Sequence, residues 1–311
     1  MNTRKIGIGL LLVAVAALVA LYVSFMPATL EVTEDIPIQL IEPPKVEGVS
    51  LSTIYAGRMR SAAAFAYRGG KFSDERVFGM GSILVRHPAA DMLFDTGFGT
   101  QVDDQVAQLP WIMRQVTDYT AERPVSEQLA AADYDYKQIS RIVLTHAHWD
   151  HVSGIPDFPG LQIMVSHEEA EFMESDDPAA ALVKSFGFLP VAPFNYRDVP
   201  YLGFERSFDV FGDGSMVVVP VPGHTPGAIV TFVHTEDGKH YALIGDLVWQ
   251  KEGIELPAER PWLARMLVDH DAAAVRRQIV HLHRLQKMWP ELIIVPAHDR
   301  RVWDQLPRFA G

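Results

Sequence analysis

The most informative stretch of the chain reads IVLTHAHWDH and occupies residues 142–151. Its first residues are β-branched and apolar, which predicts a buried strand that ends just before the first histidine. Alternation in an extended segment places His146 and His148 on the same side, and a turn into a helix directs Asp150 and His151 back toward them. Three imidazoles and a carboxylate suit zinc and similar divalent cations, so the stretch predicts a metal site rather than an unimportant histidine-rich turn.

Three more candidate ligands each follow the end of a predicted strand, namely His224, Asp246 and His298. Alone, each has an ordinary explanation as a turn histidine, a helix-capping aspartate or a surface histidine. Together with the first cluster they supply five histidines and two aspartates at one edge of a sheet system. Seven ligands exceed one tetrahedral shell and suit two metal ions that share a bridging carboxylate.

Apolar segments and helical patterns alternate along the chain. Strands are expected at 82–85, 92–94, 139–144, 162–165, 216–221, 229–233, 241–244 and 292–295. Helices are expected at 101–116, 125–132, 167–173 and 271–289. Strands interleaved with helices indicate an α/β layered protein.

Residues 1–26 predict a membrane anchor or a signal segment. A short basic segment at 3–5 precedes 20 uncharged residues, 6–25, which is the length that a helix needs to cross a bilayer. Met26 and Pro27 interrupt the place where a small-residue cleavage site belongs. We therefore expect an inner-membrane anchor with a cytoplasmic basic flank and a periplasmic catalytic domain. A cleaved signal, which would give a secreted protein, and a buried N-terminal core helix are the alternatives.

The remaining chain divides into a tether and one large domain. Residues 27–50 mix proline with charged and β-branched residues and predict an extended tether. The catalytic domain is expected to occupy residues 51–311.

Composition excludes several functions. The formal net charge of −12 argues against a nucleic-acid partner, since phosphate binding requires a basic surface. The chain has no cysteine, which excludes a thiolate zinc site and a cysteine nucleophile. The expected partner is a small-molecule substrate, and the oligomeric state is not predicted.

In chain order, these motifs resemble those of the metallo-β-lactamase superfamily. The matching pieces are LFDTG at 93–97, HAHWDH at 146–151, GHTPG at 223–227, GD at 245–246 and AH at 297–298. The resemblance covers essentially the whole chain from residue 51. It implies a four-layer αββα sandwich with two metal ions in a groove at the sheet edges.

The resemblance also implies a role for each candidate ligand. By the family pattern one metal ion is held by His146, His148 and His224, the other is held by Asp150, His151 and His298, and Asp246 bridges them. Asp95 is either a partner that orients a ligand histidine or a plain turn aspartate. The di-iron branch of the family has a glutamate where this chain has His148, so two Zn²⁺ ions are expected.

Such a site predicts hydrolysis. Two divalent cations a few ångströms apart lower the pKa of a bridging water to near neutrality, which supplies hydroxide at ordinary pH. The hydroxide attacks a carbonyl carbon or a phosphorus atom while a metal ion polarises the substrate oxygen. Asp150 is the expected catalytic residue, since it can orient the hydroxide and carry its proton to the leaving group.

Within the family, the N-acyl homoserine lactonases offer the nearest analogy, because they share all seven ligands and the turn DTGFG at 95–99. They place a tyrosine three residues after the bridging aspartate, where this chain has Trp249, which lacks a phenolic O–H. The β-lactamases themselves lack the aspartate that corresponds to Asp246. Glyoxalase II carries a C-terminal helical domain, whereas only 13 residues follow His298 here. We therefore expect a zinc-dependent hydrolase of carboxylic esters or lactones.

The segment 176–208 is rich in aromatic residues and predicts a lid or pocket wall that selects an apolar acyl or aryl group. The expected lining residues are Trp111, Phe186, Phe188, Phe194, Tyr196 and Trp249. For each of them, ordinary packing of a helical insertion is the alternative interpretation.

Three other functions remain open from the sequence. The first is cleavage of phosphodiesters or phosphorylcholine esters on the same fold. The second is an iron-dependent persulfide dioxygenase, because that branch shares the ligand motifs. The third is an anchored binding protein without catalysis. The natural substrate does not follow from the sequence.

Overall fold

The computed structural model of the chain describes residues 3–33 and 37–310, and the side chains of residues 3–7 and 116 are outside that description. Residues 34–36 of the predicted tether and the side chains of the basic flank therefore lie outside the described residues.

Twelve strands are present in the described part of the chain. They are β1 (Ser50–Ala62), β2 (Glu75–Arg86), β3 (Asp91–Phe94), β4 (Tyr119–Ala121), β5 (Ile139–Val143), β6 (Gln162–Ser166), β7 (Val191–Phe194), β8 (Phe208–Asp209), β9 (Met216–Pro220), β10 (Ile229–His234), β11 (His240–Leu243) and β12 (Leu292–Val295). All eight predicted strands are found, and β1, β4, β7 and β8 are additional to them.

The described helices comprise one long N-terminal helix, one long C-terminal helix and ten shorter ones. They are α1 (Thr3–Phe25), α2 (Ala63–Ala66), α3 (Val102–Gln108), α4 (Trp111–Val116), α5 (Val125–Ala131), α6 (Trp149–Val152), α7 (His167–Glu174), α8 (Ala181–Ser185), α9 (Glu252–Glu255), α10 (Trp262–Val268), α11 (Ala272–Met288) and α12 (Arg300–Trp303).

The helix expected at 101–116 is in fact two helices, α3 and α4, so this prediction was wrong in its continuity. Pro110 lies immediately before α4. Proline has no backbone N–H and its ring clashes with the preceding turn, which ends a helix.

The strands form two sheets. The larger has the order β4-β1-β2-β3-β5-β6-β7 and the smaller has the order β12-β11-β10-β9-β8. Strands β3, β5, β6 and β7 run parallel, as do β11 and β12. Parallel strands end at a common sheet edge, so the loops after β3 and β5 come together, and so do those after β11 and β12.

Apolar packing arranges these elements in layers. Between the sheets lies a core that includes Ile83, Phe94, Met164, Val218, Ile229 and Leu243. A second core covers the outer face of the larger sheet with residues of α3, α5, α7 and α8. A third core covers the outer face of the smaller sheet with residues of α11. Helices therefore lie on the outer faces of two packed sheets.

The N-terminal helix α1 stands apart from these cores. Its segment Ile8–Phe25 has a mean hydropathy of 2.7 and only 6% of it is buried. The alternative of a buried core helix is therefore wrong, and the helix is long and apolar enough to cross a membrane. The described residues between α1 and β1 form no helix or strand, and they contact the body: Leu30 N donates to Pro257 O across 2.8 Å, and Leu30 and Ile38 pack on the third core.

Candidate metal centre

The seven candidate ligands converge in three dimensions. His146 and His148 follow β5, Asp150 and His151 belong to α6, and the other three follow β9, β11 and β12. Their ligand atoms form three groups, within each of which all atoms lie within 4.8 Å of one another. These groups are His146, His148 and His224; His146, His151 and Asp246; and Asp150, His151 and His298.

Two unsatisfied atoms and one close pair of nitrogens indicate that this cluster suits cations. His146 Nε2 is buried without a hydrogen-bond partner, and so is Asp246 Oδ1. The latter atom lies 3.0 Å from His298 Nε2 and 3.3 Å from His151 Nε2. His148 Nδ1 lies 2.9 Å from His224 Nε2, a distance that requires a proton or a cation between the two nitrogens. Buried nitrogen and carboxylate oxygen atoms without partners fit divalent metal ions.

Burial keeps one part of the cluster neutral. It lowers the pKa of His146 and that of His148 well below the ordinary value of 6.5, and the neighbouring imidazoles add to this effect. Neutral imidazole is the form that binds a metal ion, so these residues need not lose a proton before a cation enters.

Around His151 and Asp246, by contrast, the cluster favours the charged forms of its side chains. Burial opposes protonation of His151, but the nearby carboxylates, first Asp95 and then Asp246, outweigh it and raise the pKa of His151 well above 6.5. Although burial disfavours its charged form, His298 and His151 hold the pKa of Asp246 well below 3.8. The carboxylates therefore attract positive charge here, which protons or cations can supply.

Asp95 holds His151 in place. Its Oδ2 lies 2.8 Å from His151 Nδ1, while Thr145 donates its backbone N–H to Oδ1 and its hydroxyl to Oδ2, both across 2.8 Å. The backbone of Asp95 is left-handed, with φ of 53°, which few residues other than glycine adopt. Asp95 is thus both a turn aspartate and a partner of a candidate ligand.

With this geometry in place, comparison with known proteins identifies the family. A family model described as the metallo-beta-lactamase superfamily matches residues 82–298. The chain belongs to that superfamily. This confirms the resemblance drawn from the motifs.

Curated relatives include metallo-hydrolases and lactonases. A probable metallo-hydrolase of Mycobacterium tuberculosis is 29% identical over 234 residues, which cover 70% of this chain and 73% of the relative. The N-acyl homoserine lactonase AttM of Agrobacterium fabrum is 24% identical over 237 residues, which cover 71% of this chain and 81% of the relative.

Solved structures share the fold. An N-acyl homoserine lactone hydrolase with N-hexanoyl-L-homoserine at its catalytic metal centre superposes with a TM-score of 0.66 and 17% identity, covering 85% of this chain and 98% of that one. The dizinc quorum-quenching lactonase AidC superposes with a TM-score of 0.51 and 16% identity, covering 86% and 92%. At these identities the likeness concerns the metallo-β-lactamase fold.

A second histidine partner was missed by the sequence reasoning. Asp269 Oδ1 lies 2.9 Å from His224 Nδ1 and also accepts a hydrogen bond from Arg260 Nη1 across 2.9 Å. Arg260 donates in addition to the backbone carbonyl of Asp246. This buried pair joins two candidate ligands of this superfamily member, but its residues lie outside every motif and carry no local signal.

Glu169 was missed as well. This carboxylate is 1% exposed and accepts hydrogen bonds from Ala147 N at 2.6 Å, Thr225 Oγ1 at 2.7 Å and Gly227 N at 3.0 Å. It therefore ties the loop after β5 to the loop after β9.

Burial raises the pKa of Glu169 to about 7, although these three hydrogen bonds oppose the shift. A side chain at position 227 would collide with the backbone of Glu169, so glycine is required there.

Of the predicted pocket residues, Trp249 lies at the site. Its Nε1 donates to Asp246 Oδ2 across 2.7 Å, and the guanidinium of Arg260 lies 4.5 Å from the centre of its ring. The indole is partly exposed.

The structure does not bring the other predicted pocket residues to the metal centre. Phe194 is buried between the sheets, where it stacks on Phe208 with ring centres 4.9 Å apart, and Tyr196 packs beside it. Phe186 packs against the outer core of the larger sheet. Trp111 and Phe188 are exposed, and the described contacts include none from either residue to a candidate ligand. The segment 176–208 thus supplies an edge strand and packing residues, and its role as a lid stays a prediction.

Proposed function

We propose that this protein is a two-zinc hydrolase of carboxylic esters or lactones that carry an apolar acyl or aryl group. The observation that carries the proposal is the overlap of the three ligand groups. His146 and His151 each belong to two groups, so the groups are contiguous and suit a pair of metal ions rather than two separate sites.

In this proposal the ligands divide as the family pattern implies. His146, His148 and His224 would hold one ion, Asp150, His151 and His298 would hold the other, and Asp246 would bridge them. When bound, such a pair of ions lowers the pKa of a shared water and polarises a substrate oxygen.

Asp150 is the proposed catalytic residue. Its Oδ2 lies 3.4 Å from His298 Nε2, and its side chain keeps 12% of its surface exposed, so it contacts both the cluster and solvent. Asp150 accepts the proton of the attacking water and passes it to the leaving oxygen. Asp95 and Asp269 keep His151 and His224 in fixed orientations while this occurs.

Two considerations support ester or lactone substrates over phosphodiesters. Named lactonases are among the relatives, at 24% identity for the enzyme of Agrobacterium fabrum. Arg260 is the guanidinium described beside the cluster, but its side chain is only 1% exposed and is held by Asp269 and by the carbonyl of Asp246. It is therefore not available to bind a phosphate group.

We further propose that residues 1–26 anchor the protein in the inner membrane and that residues 51–311 act on the periplasmic side. Helix α1 supports an anchor by its length, hydropathy and exposure. Mass spectrometry of the mature full-length protein would test this, since removal of residues 1–26 would indicate a cleaved signal and a secreted enzyme.

Metal quantification combined with a substrate panel tests the hydrolase proposal. We expect about two zinc ions per chain and turnover of aryl esters and acyl lactones by the full-length protein in detergent. The variant Asp150→Asn is expected to lose turnover, whereas Asp237→Asn on the distant β10–β11 turn serves as the matched control. One iron per chain with persulfide oxidation, or turnover restricted to phosphodiesters, would overturn the proposal.

A further inference from the structure

Helix α10 presents an unusual surface for a helix of only seven residues. Trp262, Leu263, Met266 and Leu267 are all exposed, Met266 by 65% and Trp262 by 45%. Single exposed apolar residues are ordinary, but four on one short helix form a contiguous apolar face of the kind that marks an interaction site.

This face adjoins the N-terminal helix. Helices α1 and α10 pack against each other. The end of α1 is also fixed to the body, because Arg68 Nη2 donates to Val23 O across 3.0 Å and Gly69 N donates to Phe25 O across 3.1 Å. These bonds satisfy carbonyl groups that a helix end leaves without partners. The direction in which α1 leaves the body is thus tied to the position of α10.

Apolar aromatic residues surround the same junction. Phe25 contacts Phe65 and Phe72, with ring centres 5.6 Å and 5.0 Å apart, and Phe72 is itself largely exposed. The exposed apolar surface of α1 therefore continues onto the body of the protein at this point.

Helix α10 also borders the metal centre. The residue Arg260, two positions before the helix, donates to the carbonyl of Asp246. The residue that follows the helix, Asp269, contacts His224. The segment that carries the exposed apolar face is thus held at both ends by contacts with candidate ligands.

We propose that the exposed face of α10 lies in the interface of the lipid bilayer beside α1, so that the catalytic groove opens at the membrane surface and takes its substrate from the lipid phase. The inference rests on the anchor proposed above. Lipid is the occupant because the face continues the surface of a helix of membrane-spanning length. Tryptophan prefers the membrane interface, and short helices with one apolar face lie in that region. The substrate class becomes acyl esters or lactones that partition into membranes.

The absence of cysteine allows a direct test with single labels. The full-length variants Met266→Cys, Val15→Cys and Lys239→Cys would each carry a nitroxide in vesicles of phosphatidylethanolamine and phosphatidylglycerol. Lys239 is exposed on the turn between β10 and β11, at the sheet end opposite Asp246. We expect collisions with oxygen to dominate at positions 15 and 266, and collisions with a water-soluble nickel chelate to dominate at position 239.

The three labels separate the two proposals. A label at position 266 as accessible to the chelate as the label at 239, with position 15 embedded, would overturn the docking of α10 and leave the anchor intact. Chelate access at position 15 as well would overturn both. Collisions with oxygen and collisions with the chelate do not depend on metal binding or on hydrolysis. The labels therefore test the docking of α10 even if the proposed hydrolase activity is absent.

A kinetic measurement addresses the supply of substrate. The variant Met266→Glu is expected to lower turnover of a long-chain acyl lactone in vesicles by about tenfold or more, because a charge in the interface opposes docking. Turnover of a short water-soluble ester should stay unchanged. Val199→Glu introduces the same charge at an exposed valine outside the patch and serves as the control. Equal turnover of the vesicle-borne substrate by Met266→Glu and the unmodified protein would contradict the inference.

Discussion

Trp249 donates its indole N–H to Asp246 Oδ2 across 2.7 Å, and the aspartate whose carboxylate it orients is the proposed bridging ligand. Arg260 lies over the same indole ring and binds the backbone carbonyl of Asp246. The orientation of this aspartate is therefore controlled at its side chain and at its main chain by two neighbouring residues.

Replacement of Trp249 by phenylalanine removes the N–H donor and keeps an aromatic ring against Arg260. We expect the affinity for metal to fall about tenfold or more, since partners that orient a ligand commonly contribute that much. Competition with a chromophoric chelator would measure the change. Trp289→Phe, which alters a tryptophan packed near His240 and away from the cluster, is the control. Unchanged metal affinity in Trp249→Phe would show that the hydrogen bond does not matter for binding.

The substitution Asp95→Asn tests the support of His151. Asparagine tolerates the left-handed backbone at this position, so the turn should persist, but its amide cannot accept hydrogen bonds at both positions. We expect the affinity of one of the two metal ions to fall by about 10- to 100-fold. The measured stoichiometry should then approach one ion per chain at limiting metal.

A matched control is available for that variant. Asp133 has the same φ of 53° and lies exposed outside the cluster, so Asp133→Asn makes the same chemical change without touching a ligand. If Asp95→Asn and Asp133→Asn lost the same amount of metal, the loss would come from the change in the backbone turn and not from the contact with His151.

The variant Glu169→Gln tests the connection between the two ligand loops. Glutamine keeps the volume, but its amide nitrogen cannot accept the bonds that Thr225 and Gly227 now donate to one oxygen. Buried donors would lose their partner, at a cost of about 1–3 kcal/mol in the free energy of unfolding. Chemical denaturation would measure it, with the exposed neighbour Glu168→Gln as the control. A loss no larger than that of the control would contradict the proposed connection.

A dependence of stability on pH is expected from His234, which lies away from the metal centre. Burial, and then the nearby His240, lowers the pKa of His234 to about 4, and its Nε2 lies within hydrogen-bond distance of Tyr201 Oη, 2.9 Å away. Above pH 6.5 the residue is neutral in both the folded and the unfolded chain. As the pH falls toward 4, the unfolded chain gains the proton first, so the folded state loses up to about 3 kcal/mol of stability.

The variant His234→Gln isolates this contribution, because glutamine keeps an acceptor for Tyr201 and does not titrate. Its thermal midpoint should fall less than that of the unmodified protein between pH 6.5 and pH 4. If the thermal midpoints of the two proteins fell by the same amount, groups other than His234 would cause the sensitivity to acid.

The convergence of the candidate ligands was predictable because they lie in the loops and the short helix that follow strands whose apolar character is visible locally. The residues that hold these ligands in place were not predictable from the sequence. Asp95 is the exception, because it lies in a recognisable motif. Glu169 and Asp269 act across 58 and 45 positions of sequence, respectively, and only the packed fold brings them to Gly227 and His224.

The lid expected at 176–208 stays a prediction, because the directions of its side chains do not follow from the sequence. Aromatic density in 176–208 was visible, but the direction of Phe194 depends on the register of β7, which was not predicted. Pro193 lies within that strand, and proline in a strand pattern argues against a central position. Strand β7 is indeed at the sheet edge, and its register turns Phe194 into the core between the sheets.

The shared position of Asp246 has a consequence for a cell short of zinc. One carboxylate touches both halves of the cluster, so an ion in either half orders a ligand that the other half needs. We therefore expect the proposed pair of zinc ions to load cooperatively in the unmodified protein, with few partly filled molecules. The population would then divide between empty and fully loaded molecules, and a modest decline in available zinc would remove whole active sites instead of weakening all of them equally.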